Sequence, residues 1–449
     1  MRIISLAWRN IITKPLNLFL TVTLFSLCIG LMTFMLLFNT QLKEKFDKNL
    51  ANIDVVVGAK GSPLQMILCS MFHIDNPTGN ITIKEATPLL RKGHPLIEWA
   101  VPLSLGDSYK SYRIVGTNSS FLDVYDAELI DGHLWENDFE TTIGYGVAQD
   151  LGLHIGDTFV SSHGFVDDED LAHDHAPFKI VGILKPTGSV IDQLILTTSA
   201  TIWHVHEHEG DENESTHADT TEVSTHQTDA HHEEMHGHSQ DENSPTTLSA
   251  GTINQNNNEG LLLHPDEDIT SILIKYKNKT SFQSLNFARN INENTSMQAA
   301  SPAIEMNRLY SMIGVGADAL KALAILIGLV SALSIFVTLL RSMKERKYEL
   351  SILRVLGGSR LRIFSLIMYE GIIIAVIGFI VGTVIAHLGM EVMAHYLKQD
   401  FRYSFTGWRW LTEEWMILLI SIEIGLISAF IPALQAAKTD INKTLSEKN

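Results

Sequence analysis

The sequence predicts an α-helical membrane protein with four transmembrane helices, one plus three, and a large α+β extracytoplasmic domain of two subdomains inserted between helices 1 and 2. Three observations predict this. Four stretches are long and apolar enough to cross a bilayer. Residues 39–316, between the first and the second, alternate strand and helix signals. Lysine and arginine crowd one side of the spans.

The first span, Leu16 to Phe38, carries no charged residue. At helical rise it reaches about 34 Å, enough for the hydrocarbon core. No small-residue cleavage site follows it, so an uncleaved anchor is expected. The later spans are Ala319–Leu340, Ile363–Met390 with Glu370, and Trp415–Ala437 with Glu423. Arg2, Arg9 and Lys14 precede the first span. Arg341, Lys344, Arg346, Lys347, Arg354, Arg360 and Arg362 lie between the second and third, and Lys438 and Lys443 follow the last. This predicts cytoplasmic termini (1–15 and 438–449), a cytoplasmic segment at 341–362 and an outer loop at 391–414.

Within 39–316, "IDVVVGA", "IEWAVPLSL", "SYRIVGT", "FKIVGIL", "QLILTT" and "SILIKYK" read as strands. "ITIKEATPLLRKG" and "TSFQSLNFARNIN" read as helices, the latter with Phe282, Leu285, Ala288 and Ile291 at three-residue steps. The smaller subdomain is expected at about 125–203.

Net charge is −18, yet 17 of the 51 acidic residues lie between Lys185 and Lys275, where no lysine or arginine occurs. The acidity is local, and no nucleic-acid partner is expected. Nine histidines fall in 204–238. The segment at about 204–258 is too polar to offset its ordering entropy by apolar burial, which predicts a disordered loop. Two cysteines, Cys28 and Cys69, exclude a disulfide scaffold and a cysteine-type zinc fold.

Three motifs carry a resemblance: "GYGVAQDLGLHIGDTF" with "PFKIVGILKPTGSVID", then "RSMKERKYELSILRVLGGSRLRIFSLIMYEG", then "IPALQAAKTDINKTL". With "LAWRNIITKPLNLFLTVTLFSL" at the start, the chain resembles the permease subunits of the macrolide-exporter (MacB)/FtsX/LolCE-like type VII ABC transporter family, outside the histidine tract. The resemblance implies a bacterial inner-membrane half-transporter with a periplasmic domain. It implies a second permease subunit, identical or different, and a separate cytoplasmic ABC ATPase. No G-x-x-x-x-G-K-[ST] phosphate loop occurs in the chain, and no nucleophile elbow or H-E-x-x-H motif, so catalysis is expected in the partner.

The family's coupling helix maps onto Lys347 to Ser359. There Tyr348, Ile352 and Leu356 recur at i, i+4 and i+8, forming one apolar stripe. Arg346, Glu349 and Arg354 are expected to offer charged contacts to an ATPase, and Gly357 and Gly358 to end the helix. The plainer alternative is a solvated basic loop. Glu370 is expected in a structural hydrogen-bonding role. Glu423, roughly 12 Å into the last span, is expected at a subunit interface or in an ion relay.

Imidazole with carboxylate suits zinc, copper or nickel. The candidate ligands are His204, His206, His208, His231, His232, His236 and His238 in the tract, with His163, His173 and His175 before it. Their spacing fits weak collection at several sites better than one rigid site; a polar loop without metal is the alternative. Three functions follow: ATP-driven force transmission to a periplasmic cargo with a metal link and a metal-binding or adaptor partner, regulation of a periplasmic enzyme without transport, or metal sensing.

Overall fold

A computed structural model describes residues 3–13, 15–163, 177–205, 258–401 and 405–438. The helices in chain order are α1 (Ile3–Ile12), α2 (Pro15–Leu50), α3 (Pro63–Phe72), α4 (Ile83–Leu90), α5 (Ser120–Val124), α6 (Tyr145–Leu151), α7 (199–205), α8 (Phe282–Asn294), α9 (Pro302–Glu345), α10 (Lys347–Val355), α11 (Arg360–Phe401) and α12 (Glu414–Ala437). The strands are β1 (Val55–Ala59), β2 (Ile81–Thr82), β3 (Ile97–Tyr109), β4 (Tyr112–Gly116), β5 (Leu129–Gly132), β6 (Glu140–Ile143), β7 (Thr158–Phe159), β8 (Ser162–His163), β9 (Phe178–Leu184), β10 (Ile195–Thr197), β11 (Asp268–Ile269), β12 (Ser271–Tyr276) and β13 (Met297–Ala300). They divide between two compact units, Lys48–Met306 and the remainder of the chain.

The unit formed by Met1–Asp47 and Asn307–Asn449 is a helical bundle. Its four long helices each carry a window apolar enough for a bilayer. α2, α9 and α11 run well past their apolar spans, because a helix keeps its backbone bonds satisfied internally whether or not its side chains are apolar. The polar extensions pack on each other, as where Phe46 meets Tyr310 edge-on at 5.5 Å.

Hydroxyls join α2 to α9: Thr21 lies 2.9 Å from Thr338, and Ser331 Oγ donates to the Leu24 carbonyl at 3.1 Å. Small residues bring the other helices close. A Cβ added to Gly382 on α11 would stand 2.6 Å from the Ser26 carbonyl on α2. One added to Gly425 on α12 would meet Ala375 Cβ at 2.7 Å and the Gly371 carbonyl at 2.8 Å on α11. Such contacts carry helix association in lipid, where apolar burial alone gives no preference.

The unit Lys48–Met306 is built on an eleven-stranded mixed sheet, ordered β13-β1-β12-β3-β4-β10-β6-β9-β5, with β7 added at β9 and β8 at β3. β3 runs along both of the unit's cores. Its first half pairs with β12 and its second half with β4, with a bulge between Leu105 and Ser108. One core lies around Val55, Val57, Ile83, Leu90, Ile272 and Ile274. The other gathers Ile114, Ile143, Val147, Phe178, Ile180 and Ile195. α4 begins with a capping box between Thr82 and Glu85.

Two expectations are corrected here. α8 buries Ser284, Phe287 and Ile291 while Phe282 and Leu285 stand 81% and 71% exposed, because a helical face repeats at 3.6 residues and a strict three-residue step drifts off it. Asn258, expected at the end of a disordered loop, is buried in the fold. Its amide donates to the Leu90 and Ala100 carbonyls at 3.3 and 3.0 Å, and its oxygen accepts from Asn118 at 2.7 Å. Of the rest of the expected loop, 204–205 lie in α7, and 206–257 lie outside the described residues.

Candidate functional site

The site with the most definite geometry is the α10 segment. α9 ends at Glu345; Arg346, with φ −100° and ψ 15°, leaves the helical region, and α10 starts at Lys347. The nine residues of α10 put Leu350 and Ser351 inward. Leu350 packs with Ala7 of α1, Ile363, Leu366 and Ile367 of α11, and Ala433 and Ala436 of α12. The opposite side carries Tyr348 and Ile352, 39% and 38% exposed, and Leu356 just beyond the helix, 79% exposed. Val355 joins them and Glu349 stands exposed beside them. The apolar stripe read from the sequence therefore faces away from the bundle.

The stop signal works as a hydrogen-bonded cap. Gly357 has φ +93°, and its N–H donates to the Arg354 carbonyl at 3.1 Å. The Gly358 N–H donates to the Leu353 carbonyl at 2.9 Å. This pair of bonds is the Schellman closure, which needs a left-handed residue that glycine supplies without a Cβ clash. Ser359, grouped with the coupling residues in the sequence, instead caps the next helix: its Oγ accepts from the Arg362 N–H at 3.3 Å. Lys347 and Arg354 are the first residue and the penultimate residue of α10.

Arg346 differs most from its sequence reading. Its guanidinium turns inward. Nη1 donates to Glu370 Oε1 at 3.4 Å, while Nη2 donates to the Asn10 carbonyl and to Thr13 Oγ1 at 3.1 Å. Asn10 Nδ2 donates to the same Glu370 oxygen at 2.8 Å. Glu370 is thus hydrogen-bonded within the bundle. Asn10 was missed in the sequence; the available signal was an amide one step from Ile11 and three from Ala7, on the buried side of α1.

Glu423 is exposed on α12, between Leu419 and Ile420 on one side and Ile427 on the other. At the far end of the bundle a second polar cluster was also missed. His387 Nε2 lies 3.1 Å from the fully buried Glu414, and its Nδ1 contacts the Gly407 carbonyl. The Gly407 N–H donates to Glu391 at 2.7 Å. Arg409 makes a two-pronged pair with Glu44, and Trp410 stacks on His387.

The histidines are only partly described. His163 is in β8, paired with Asp107 of β3. His204 is on α7, not in a loop, with Nδ1 3.4 Å from Asp138. His173, His175, His206, His208, His231, His232, His236 and His238 lie outside the described residues. Among the described residues no three His, Cys, Asp or Glu side chains cluster as a metal site. Cys28 and Cys69 are free and buried.

Comparison with known proteins completes the picture. The MacB-like periplasmic core domain matches residues 18–231, and the FtsX-like permease C-terminal domain matches 321–441. An uncharacterised ABC transporter permease from Methanocaldococcus jannaschii is 29% identical over 138 residues, 30% of this chain. The match spans only 34% of that relative's length. A crystallised domain of a permease protein from Porphyromonas gingivalis aligns over 56% of this chain and 89% of its own, at 12% identity and a TM-score of 0.24, too slight to bear on the fold. With both signature domains in the family's order, around a one-plus-three arrangement of membrane helices, the chain belongs to the MacB/FtsX-like ABC transporter permeases.

Proposed function

We propose that this permease carries no ATPase activity itself and docks a separate cytoplasmic ATPase on α10. ATP-driven movement at α10 then passes through the bundle to the inserted domain on the periplasmic side of the inner membrane. A second permease subunit, identical or different, completes the complex. The carrying observation is the outward stripe of Tyr348, Ile352 and Leu356 on a helix whose other face is held in the bundle. An apolar stripe flanked by charge, on an otherwise solvated segment, is the pattern of a docking surface. Replacing Ile352 and Leu356 together by aspartate should weaken capture of the cognate ATPase by about tenfold or more, at least about 1.4 kcal/mol. Membrane insertion and detergent elution should not change. Undiminished co-purification of the ATPase by that double variant rejects the docking surface.

The histidine-rich segment collects zinc, or copper or nickel, weakly and at several sites, and links the cargo or an adaptor protein to metal. Nine histidines among acidic residues within 204–238 support this. Calorimetric titration of the 39–316 fragment, with and without 204–238, checks it: zinc heat that does not depend on the segment removes the metal link.

A further inference from the structure

We infer that Arg346 is a positioning residue: it is the joint at which a displacement of α10 reaches α1 and α11, and Glu370 is its buried anchor. The inference rests on α10 being the docked helix. Three facts carry it. First, Arg346 sits at the break between α9 and α10, so its backbone moves with the start of α10. Second, one guanidinium reaches two other helices at once, through Glu370 on α11 and through the Asn10 carbonyl and Thr13 hydroxyl at the end of α1. The planar fork of arginine fixes these acceptors relative to one another, which a lysine ammonium cannot do. Third, the Asn10 carbonyl belongs to the last turn of α1, where carbonyls lack helical partners and the helix end is negative. The cation therefore completes α1 as well as pairing with Glu370.

One turn beyond Arg346, Leu350 lies in a buried cluster that also holds Ala7 of α1 and residues of α11 and α12. Side-chain exposures of 13% for Arg346 and 6% for Glu370 leave the pair largely buried. Apolar residues of similar volume often serve stability as well as a buried ion pair does. What such residues cannot supply is a fixed three-way geometry. That geometry makes α1, the start of α10 and this end of α11 move as one piece.

The test uses the full-length chain in lipid nanodiscs, with Cys28→Ser and Cys69→Ala and spin labels on Ser5→Cys in α1 and Val355→Cys in α10. With Arg346 in place, the distance distribution between the labels should be single and narrow. Arg346→Gln should at least double its width, and Arg346→Lys should fall between. An unchanged width in Arg346→Gln overturns the joint. Should that variant not elute as a single species, Glu370→Gln, which keeps the shape and removes the charge, is read by the same criterion.

A second arm adds the ATPase. Arg346→Gln keeps the α10 stripe, so ATPase capture and the KM for ATP should hold while kcat of the complex falls about tenfold. A kcat equal to wild type overturns the joint. If the unmodified chain captures no ATPase, the docking reading fails, and transmission through Arg346 fails with it. The label widths of the first arm separate these failures, because they need no partner.

Discussion

In the membrane bundle, α2 meets α11 where Gly30 faces Gly382, and α2 meets α9 through Thr21, Ser331 and Thr338. In the inserted domain, β1 and β12 lie in register from Val55 opposite Ile274 to Gly58 opposite Ser271, and their side chains fill a core with Ile83, Leu90 and Phe287. The second region joins its elements by large aliphatic side chains; the first adds small residues and hydroxyls to a core that includes Phe25, Ile29, Ile335 and Phe379. The solvent explains the difference. In water, burying an apolar side chain contributes about 1.5–3 kcal/mol. In lipid the same side chain gains nothing by leaving the tails, so close backbone approach and hydrogen bonds decide the packing. The exposed faces agree. α9 shows Ile325, Leu326, Leu329, Leu333 and Val337 outward, which suits a bilayer and in water would be a large apolar patch.

The sharpest way to break this comparison is to fill a small-residue contact. Gly425→Leu would drive its side chain into the Gly371 carbonyl and Ala375. Backbone cannot yield as a flexible side chain can, so the expected loss is about 3 kcal/mol or more from the bundle. Melting in detergent, followed separately by thiol labelling of buried Cys28 in the bundle and of buried Cys69 in the inserted domain, should show the bundle transition alone moving down. Equal movement of both transitions would mean that the two regions are not held together independently.

How far the sequence carries this picture depends on the kind of signal. The spans were legible because bilayer thickness demands long charge-free runs. β9 and β12 were legible from dense β-branched residues between breakers. The ends of α2, α9 and α11 were not, since a polar helix continuing out of an apolar one changes no local rule. The α10 stop was legible because only a left-handed residue closes that cap, and Gly357 sits where it is needed. The stripe of α10 was legible from its period. Arg346 was read outward for lack of the one fact a local pattern omits: two of its three acceptors, on Asn10 and Thr13, lie more than 300 residues away in the chain. Long-range pairing of one charge leaves no trace in a window of 18 residues.

A smaller effect sharpens the comparison from the other side, through a group that only the inserted domain contains. His73 ends α3 in a left-handed conformation, φ 54°, packed edge-on against Phe121 at 6.4 Å. It is buried, and neither ring nitrogen has a hydrogen-bond partner. Burial, with the Arg113 cation nearby, holds its pKa down from 6.5 to about 3. Below pH 6.5 the unfolded chain therefore takes up a proton that the folded domain refuses. Stability contributed by neutral His73 is intact above that pH and is lost progressively as pH falls toward 3. Between pH 7 and pH 5 the loss should be about 2 kcal/mol, at roughly 1.4 kcal/mol per pH unit. His73→Asn removes the titration and tolerates the left-handed backbone. Urea unfolding of the inserted domain within the full chain, at pH 7 and pH 5, should show the gap between wild type and variant shifting by that amount in the variant's favour. A gap that stays constant would mean that His73 is solvated or hydrogen-bonded in the folded state. The contrast between the two regions would then narrow to their apolar packing.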